Sequence, residues 1–155
     1  MEIGDLLGQD SVLAKLRVSS KKQALQELAK RAASITHLPE RQIFDVILER
    51  ERLGTTGVGG GIAIPHGRLP KLDHIHGIFA RLEQPIDFES IDEQPVDLIF
   101  MLLAPEAAGA DHLKALARVS RMLRDRSMTE KLRGSDKPEA LYALLTESNG
   151  ASKAA

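Results

Sequence analysis

Cysteine is absent from all 155 residues. That excludes a disulfide scaffold, a thiol nucleophile and any Cys-based zinc or iron–sulfur site. Tryptophan is absent as well, and aromatic residues reach only 3%. Recognition of single-stranded nucleic acid by base stacking has too few rings to work with. Neither sign of charge is in excess: Lys and Arg number 21, Asp and Glu 22, for a net charge of −1. A polycationic nucleic-acid binder is excluded by that balance. Long hydrophobic runs are missing. The longest, Leu98 to Ala104, falls far short of the roughly 20 residues that span a bilayer. The first ten residues are acidic and lack a basic stretch followed by an apolar one, so they do not read as a signal peptide. No membrane insertion is expected, and a cytoplasmic location is.

What remains is an ordinary globular composition, 43% apolar and 28% charged. The length suits one domain with a sizeable core. From Val12 the segment 11–18 alternates apolar and polar, as a strand does. Ser19 or Ser20 can cap a helix with Leu25, Leu28, Ala29, Ala32 and Ile35 on one face. Pro39 opens a second helix, and Gly54 ends it. A glycine-rich loop follows over 54–61, then a short strand Ile62-Ala63-Ile64 closed by Pro65, His66 and Gly67. Residues 75–82 and 96–104 read as strands, the second buried on both faces because it is continuously apolar. Pro85 and Pro95 are expected to break the stretch between them. Asp111 can cap a long helix, and shorter helices are expected near 128–134 and 138–147. Helices precede and follow the strands, so the fold class is mixed α/β.

The glycine loop does not bind a nucleotide by either familiar pattern. A P-loop needs Gly-Lys-Ser/Thr, yet no lysine follows Gly60-Gly61 before Lys71. The dinucleotide fingerprint fails because its last glycine falls on Ile62 and the loop follows a helix. His66 is the informative residue. It stands between a rigid Pro65 and a permissive Gly67, expected to let the chain turn at once. Neutral imidazole there can act as a nucleophile near pH 7 and carry a covalent group. The bland alternative is a histidine that merely closes a strand. By pattern alone Arg50 reads as a solvated helix-end charge and His112 as a polar helix-start residue. His74 and His76 could share a strand face and hold a metal, but two ligands without a third read more simply as surface histidines, and no metal is expected.

The segment from Leu48 to Gly67, which ends Gly-Ile-Ala-Ile-Pro-His-Gly, resembles the IIA protein of the bacterial phosphoenolpyruvate-dependent phosphotransferase system, fructose/mannitol type. Leu103-Ala104-Pro105, Asp111 to Ala117, Val12-Leu13 and Ser20 to Leu25 carry the same resemblance, which covers roughly residues 3–147. No IIB or IIC segment lies within these residues, and the likeness is strongest to the stand-alone nitrogen-regulatory branch.

The resemblance implies a mixed β-sheet flanked by helices in one domain, 1–148, with a disordered tail at 149–155. It implies that His66 carries a phosphoryl group, with His112 and Arg50 beside it. Thr55, Thr56 and Gly67 are implied as phosphate contacts. Arg50 offers a permanent charge and a forked donor set; at about 4 Å and an effective dielectric near 20 such a pair is worth about 4 kcal/mol before desolvation. His112, at a helix start, is implied to be a neutral donor. No cofactor is needed, since an HPr-like carrier protein would deliver the phosphoryl group from its own histidine. Phosphotransferase-type chemistry would then serve mainly regulation, with a sensor kinase and potassium-transport regulators as implied partners. A sugar-transport IIA component that feeds a IIB domain, a metal-dependent hydrolase and a binding scaffold without chemistry are the competing readings.

Overall fold

A computed structural model describes the backbone of residues 1–154 and the side chains of residues 1–147; the tail expected at 149–155 lies outside the fully described residues. The chain forms α1 (Ile3–Leu6), a 3-10 turn (Gln9–Ser11), β1 (Val12–Leu16), α2 (Lys21–Thr36), α3 (Glu40–Leu53), β2 (Gly57–Gly59), β3 (Ile62–Ala63) and β4 (His66–Leu69). Then come β5 (His76–Ile86), β6 (Val96–Pro105), α4 (Ala110–Arg124), α5 (Arg126–Arg133) and α6 (Pro138–Ala154). No helix among the described residues is long and apolar enough to cross a membrane.

The six strands make one mixed sheet in the order β1-β5-β6-β3-β2, with β4 also on β6. The centre is β6. It pairs antiparallel with β5, and parallel with both β3 and β4 along its other edge. Its near-continuous apolar sequence follows from burial on both faces. Leu98, Phe100, Leu102 and Ala104 face a core shared with α1, α4, α5 and α6, while Ile99, Met101 and Leu103 face the core under α2 and α3. The class expected from the sequence, a mixed sheet flanked by helices, is the one observed.

Local expectations hold at the helix starts with side-chain caps and fail where the chain is tied to distant partners. Ser20 caps α2 by accepting from Gln23 N–H at 3.1 Å. Pro39 and Gly54 bound α3 as expected. Asp111 does not cap α4; Gly109 does, at φ 51° and ψ −116°, a conformation few side chains tolerate. The glycine loop is partly ordered as β2, an edge strand on β3. Pro85 does not end its strand. It lies within β5 at a shift of register between Arg81 and Ile86, where the missing N–H costs no ladder bond.

The largest correction concerns the turn expected after Gly67. The chain does not turn there. It is interrupted at Ile64-Pro65 and resumes as β4, with His66 paired to Leu102 and Gly67 to Leu103. Gly67 is small because α3 crosses directly above it: an added Cβ would lie 2.6 Å from Val46 Cγ1 and 3.4 Å from Ile47 Cδ1. The helix that carries Arg50 is thereby seated against the strand that carries His66. Gly67→Ala should push α3 outward and destabilise the protein by about 1–3 kcal/mol. Urea unfolding measures the loss, and amide shifts along α3 should locate it.

Candidate functional site

His66 begins β4, and its position is set by the break before it. Thr56 C=O accepts from Ile64 N–H at 3.0 Å, and Pro65 C=O accepts from Leu102 N–H at 2.9 Å, so both sides of the break are tied down. The Ile64 carbonyl then lies 2.9 Å from His66 Nδ1. A carbonyl only accepts, so Nδ1 carries the proton and Nε2 keeps its lone pair. The ring is half-buried, and burial pushes its pKa below the ordinary value of 6.5. The Ile64 carbonyl opposes that shift, the Arg50 charge adds to it, and the Glu51 charge opposes it. The balance keeps His66 neutral at neutral pH.

Arg50 lies in the last turn of α3 and donates from one terminal nitrogen to Gly54 C=O at 2.9 Å. His112 is the third residue of α4, with 5% of its surface exposed. Its ring meets that of His66 edge-on, with centroids 5.6 Å apart and planes at 73°. Burial lowers its pKa most, followed by the neighbouring His66 and the Arg68 charge. Its Nε2 is buried and has no hydrogen-bond partner among the described residues. Leaving such a polar atom unpaired costs about 1–3 kcal/mol.

Three separate pieces of the chain thus converge on one open cleft of about 670 Å³: α3 with Arg50, β4 with His66, Gly67 and Arg68, and α4 with His112. Leu53 and Leu113, 83% and 66% exposed, stand on its rim. The acidic residues of α3 beside the cleft are matched on their own helix, Asp45 by Arg41 and Glu49 by Arg52. Arg50 and Arg68 form no ion pair with a carboxylate among the described residues, so two guanidinium groups stand available beside a nucleophilic ring nitrogen. Such a cleft can hold a compact anion and accept an electrophile on nitrogen.

The structure brings His66, His112, Arg50 and Gly67 together as the sequence suggested. It turns Thr55 and Thr56 elsewhere. Thr55 Oγ1 donates to Phe88 C=O at 3.1 Å and accepts from Gly57 N–H at 3.1 Å. Thr56 is buried, and its hydroxyl donates to Glu51 Oε2 while its N–H meets Glu51 Oε1 at 3.1 Å. Asp73, His74 and His76 gather away from the cleft, each with one ligand atom within 4.8 Å of the others; His74 Nδ1 lies 2.7 Å from Asp73 Oδ1.

Two site residues escaped the sequence reading. Arg68 could have been found by period-two spacing from His66 along a strand, had β4 not been read as a turn. Glu51 sits in Glu-Arg-Glu-Arg, a pattern that reads as solvated, yet it is only 6% exposed. Lys21 Nζ meets it at 2.9 Å, so the Thr56 segment that supports Ile64 is anchored by a buried ion pair.

The structure is a mixed α/β module with a histidine, His66, in one cleft with two guanidinium groups, Arg50 and Arg68. The comparisons agree. The model described as "Phosphoenolpyruvate-dependent sugar phosphotransferase system, EIIA 2" matches residues 5–148, and the chain belongs to that family. It is 61% identical over 145 residues to a nitrogen regulatory protein of Bradyrhizobium diazoefficiens, spanning 94% of this chain and 95% of that one. It is 39% identical over 152 residues to the nitrogen regulatory protein of Escherichia coli K12, spanning 97% and 93%. The crystal structure of nitrogen regulatory protein IIA-Ntr from Neisseria meningitidis superposes with a TM-score of 0.88 at 35% identity, covering 93% of this chain and 99% of that one. Within the family, the likeness is to the nitrogen-regulatory branch.

Removing the buried carboxylate leaves Lys21 without its closest partner. Glu51→Ala should therefore cost about 3–5 kcal/mol of stability, read from urea unfolding. Lys21→Met in the same chain should recover part of the loss.

Proposed function

We propose that this protein is a regulatory phosphocarrier in which His66 Nε2 accepts a phosphoryl group from a histidine-phosphorylated, HPr-like carrier protein. The observation that supports this most is the His66 ring itself. It is uncharged, held by its Nδ1 proton to Ile64 C=O, and opens its other nitrogen to a cleft shared with Arg50 and His112.

In the transfer the Nε2 lone pair attacks phosphorus in line while the donor's N–P bond breaks, its electron pair returning to the donor imidazole. Positive charge develops on the His66 ring as the new bond forms. The Ile64 carbonyl, already accepting from Nδ1–H, and the nearby Glu51 charge favour that ring cation. Arg50 and the His112 donor meet the charge on the phosphoryl oxygens. The residue roles and the absence of any needed cofactor are carried over from the family likeness together with this geometry.

The phosphoryl group adds close to two negative charges at a cleft rimmed by Leu53 and Leu113, which would change what docks there without refolding the chain. The name shared by the relatives, nitrogen regulatory protein, favours a regulatory output; a cytoplasmic setting is the expectation carried over from the sequence. A sensor kinase and regulators of potassium transport are the partners the branch suggests.

Incubation with a phosphorylated carrier protein should add one phosphoryl group by intact mass, mapped to His66, and His66→Ala should gain none. Gain of the group by His66→Ala at the wild-type rate would overturn the reading. Onward transfer to a IIB domain coupled to sugar uptake would instead assign the protein to transport. Arg50→Ala should slow acceptance by about a hundredfold, measured by single-turnover kinetics.

The pH dependence follows from the direction of the His66 shift. A pKa held below 6.5 leaves more than half of the rings neutral at that pH. Acceptance should decline at a lower pH than an ordinary imidazole would give, as protonation removes the Nε2 lone pair. Rates measured from about pH 5 to 8 on a donor of fixed phosphorylation should place the inflection below 6.5.

A further inference from the structure

Arg68 has no counterpart in the set His66, Arg50 and His112, yet it shares their cleft. It lies two residues beyond His66 on β4, which puts both side chains on the same face of the strand. Its Nε lies 3.2 Å from His112 Nδ1. A guanidinium has only donors, so the atom it meets must offer a lone pair. A neutral imidazole has one donor nitrogen and one acceptor nitrogen. If Nδ1 accepts, the proton is on Nε2, and Nε2 is the buried atom left without a partner.

We propose that Arg68 is a positioning residue: by donating to His112 Nδ1 it holds that ring in its Nε2–H form, so that a buried donor stands ready for a phosphoryl oxygen on His66. This rests on the reading that His66 accepts the group. In the opposite tautomer Nε2 would present a lone pair to an anion, and the same ring would repel what it now attracts. Burial, the His66 ring and the Arg68 charge itself all act against the doubly protonated ring that could otherwise donate from both nitrogens. The groups facing His112 that bear on its proton are therefore His66 and Arg68 on β4. Asp111, its neighbour on α4, lines a different cleft.

The bond is economical in form. Arg68 is exposed and makes no ion pair among the described residues, so it is not held by the core. Its Nε serves His112. Replacing it removes one hydrogen bond, that to His112, and urea unfolding of each variant checks that it folds.

The test begins on the unphosphorylated protein. Nitrogen-15 shifts of the His112 ring should report an Nε2–H imidazole in the wild type and a mixture of tautomers in Arg68→Met. Arg68→Lys, which restores a donor and a charge, should restore the Nε2–H form at least in part. Phosphoryl acceptance by Arg68→Met should fall about tenfold. In a His112→Ala background the same change should have little further effect, because Arg68 acts through that ring. An unaltered His112 tautomer in Arg68→Met overturns the proposal. So does an undiminished tenfold loss in the His112→Ala background, which would make Arg68 a direct contact of the phosphoryl group. A wild-type protein that accepts no phosphoryl group defeats the reading of His66, while the ring shifts still decide the role of Arg68.

Discussion

The hydrogen bond from His66 Nδ1 to the Ile64 carbonyl is the interaction on which the site depends. It is possible only because the strand beside β6 is broken and then resumed. An uninterrupted strand would direct that carbonyl sideways into the ladder. The Ile64-Pro65 break frees it, and the pairing of both β3 and β4 with β6 prevents the break from becoming a loose loop. Pro65 suits the position because its own nitrogen has no proton to place. A local loss of regular pairing thus selects which nitrogen of one imidazole is free.

Electrostatics refine what that bond begins. Burial alone would suppress charge on His66 and make the ring reluctant to become a cation during reaction. The Arg50 charge acts in the same direction, and the Ile64 carbonyl and Glu51 act against it. Arg50 and Glu51 are neighbours in sequence on one helix, yet one opens to the cleft and the other is buried against Thr56 and Lys21. Opposite charges from a single helical turn thereby act on His66 in opposite directions. His112 completes the set with a buried polar atom that has no partner among the described residues.

Much of this was legible in the sequence, and the boundary of legibility has a physical cause. Ser20, Pro39 and Gly54 act within a turn of their own helices, so local rules found them. The seven-residue apolar run in β6 reported its own burial, and the Pro-His-Gly segment drew attention to His66. Gly67 reads in sequence as a place to turn, whereas it continues β4 and admits Val46 of α3, a contact no neighbour in sequence encodes. Asp111 reads as the cap of α4 because side-chain caps are visible in sequence, whereas the backbone conformation of Gly109 is not. Glu51 and Arg68 were missed because a charged residue reads as solvated until a partner from elsewhere is known. In both cases the partner comes from a different element, Lys21 for one and His112 for the other.

The cleft is assembled from α3 on one face of the sheet, β4 in the sheet, and α4, whose apolar side packs on the other face. Its parts touch one another directly, α3 on β4 at Gly67 and β4 on α4 at His112, but β4 is held in place by β6, which must first find partners as distant in sequence as Ile62 and Phe79. Non-local pairing of that kind forms late and is lost as a unit. A half-assembled chain would therefore present scattered imidazoles and guanidines with no common geometry, and it would be chemically mute. Under the proposed function, competence to exchange a group with another protein would be a certificate of completed folding, issued by the molecule itself.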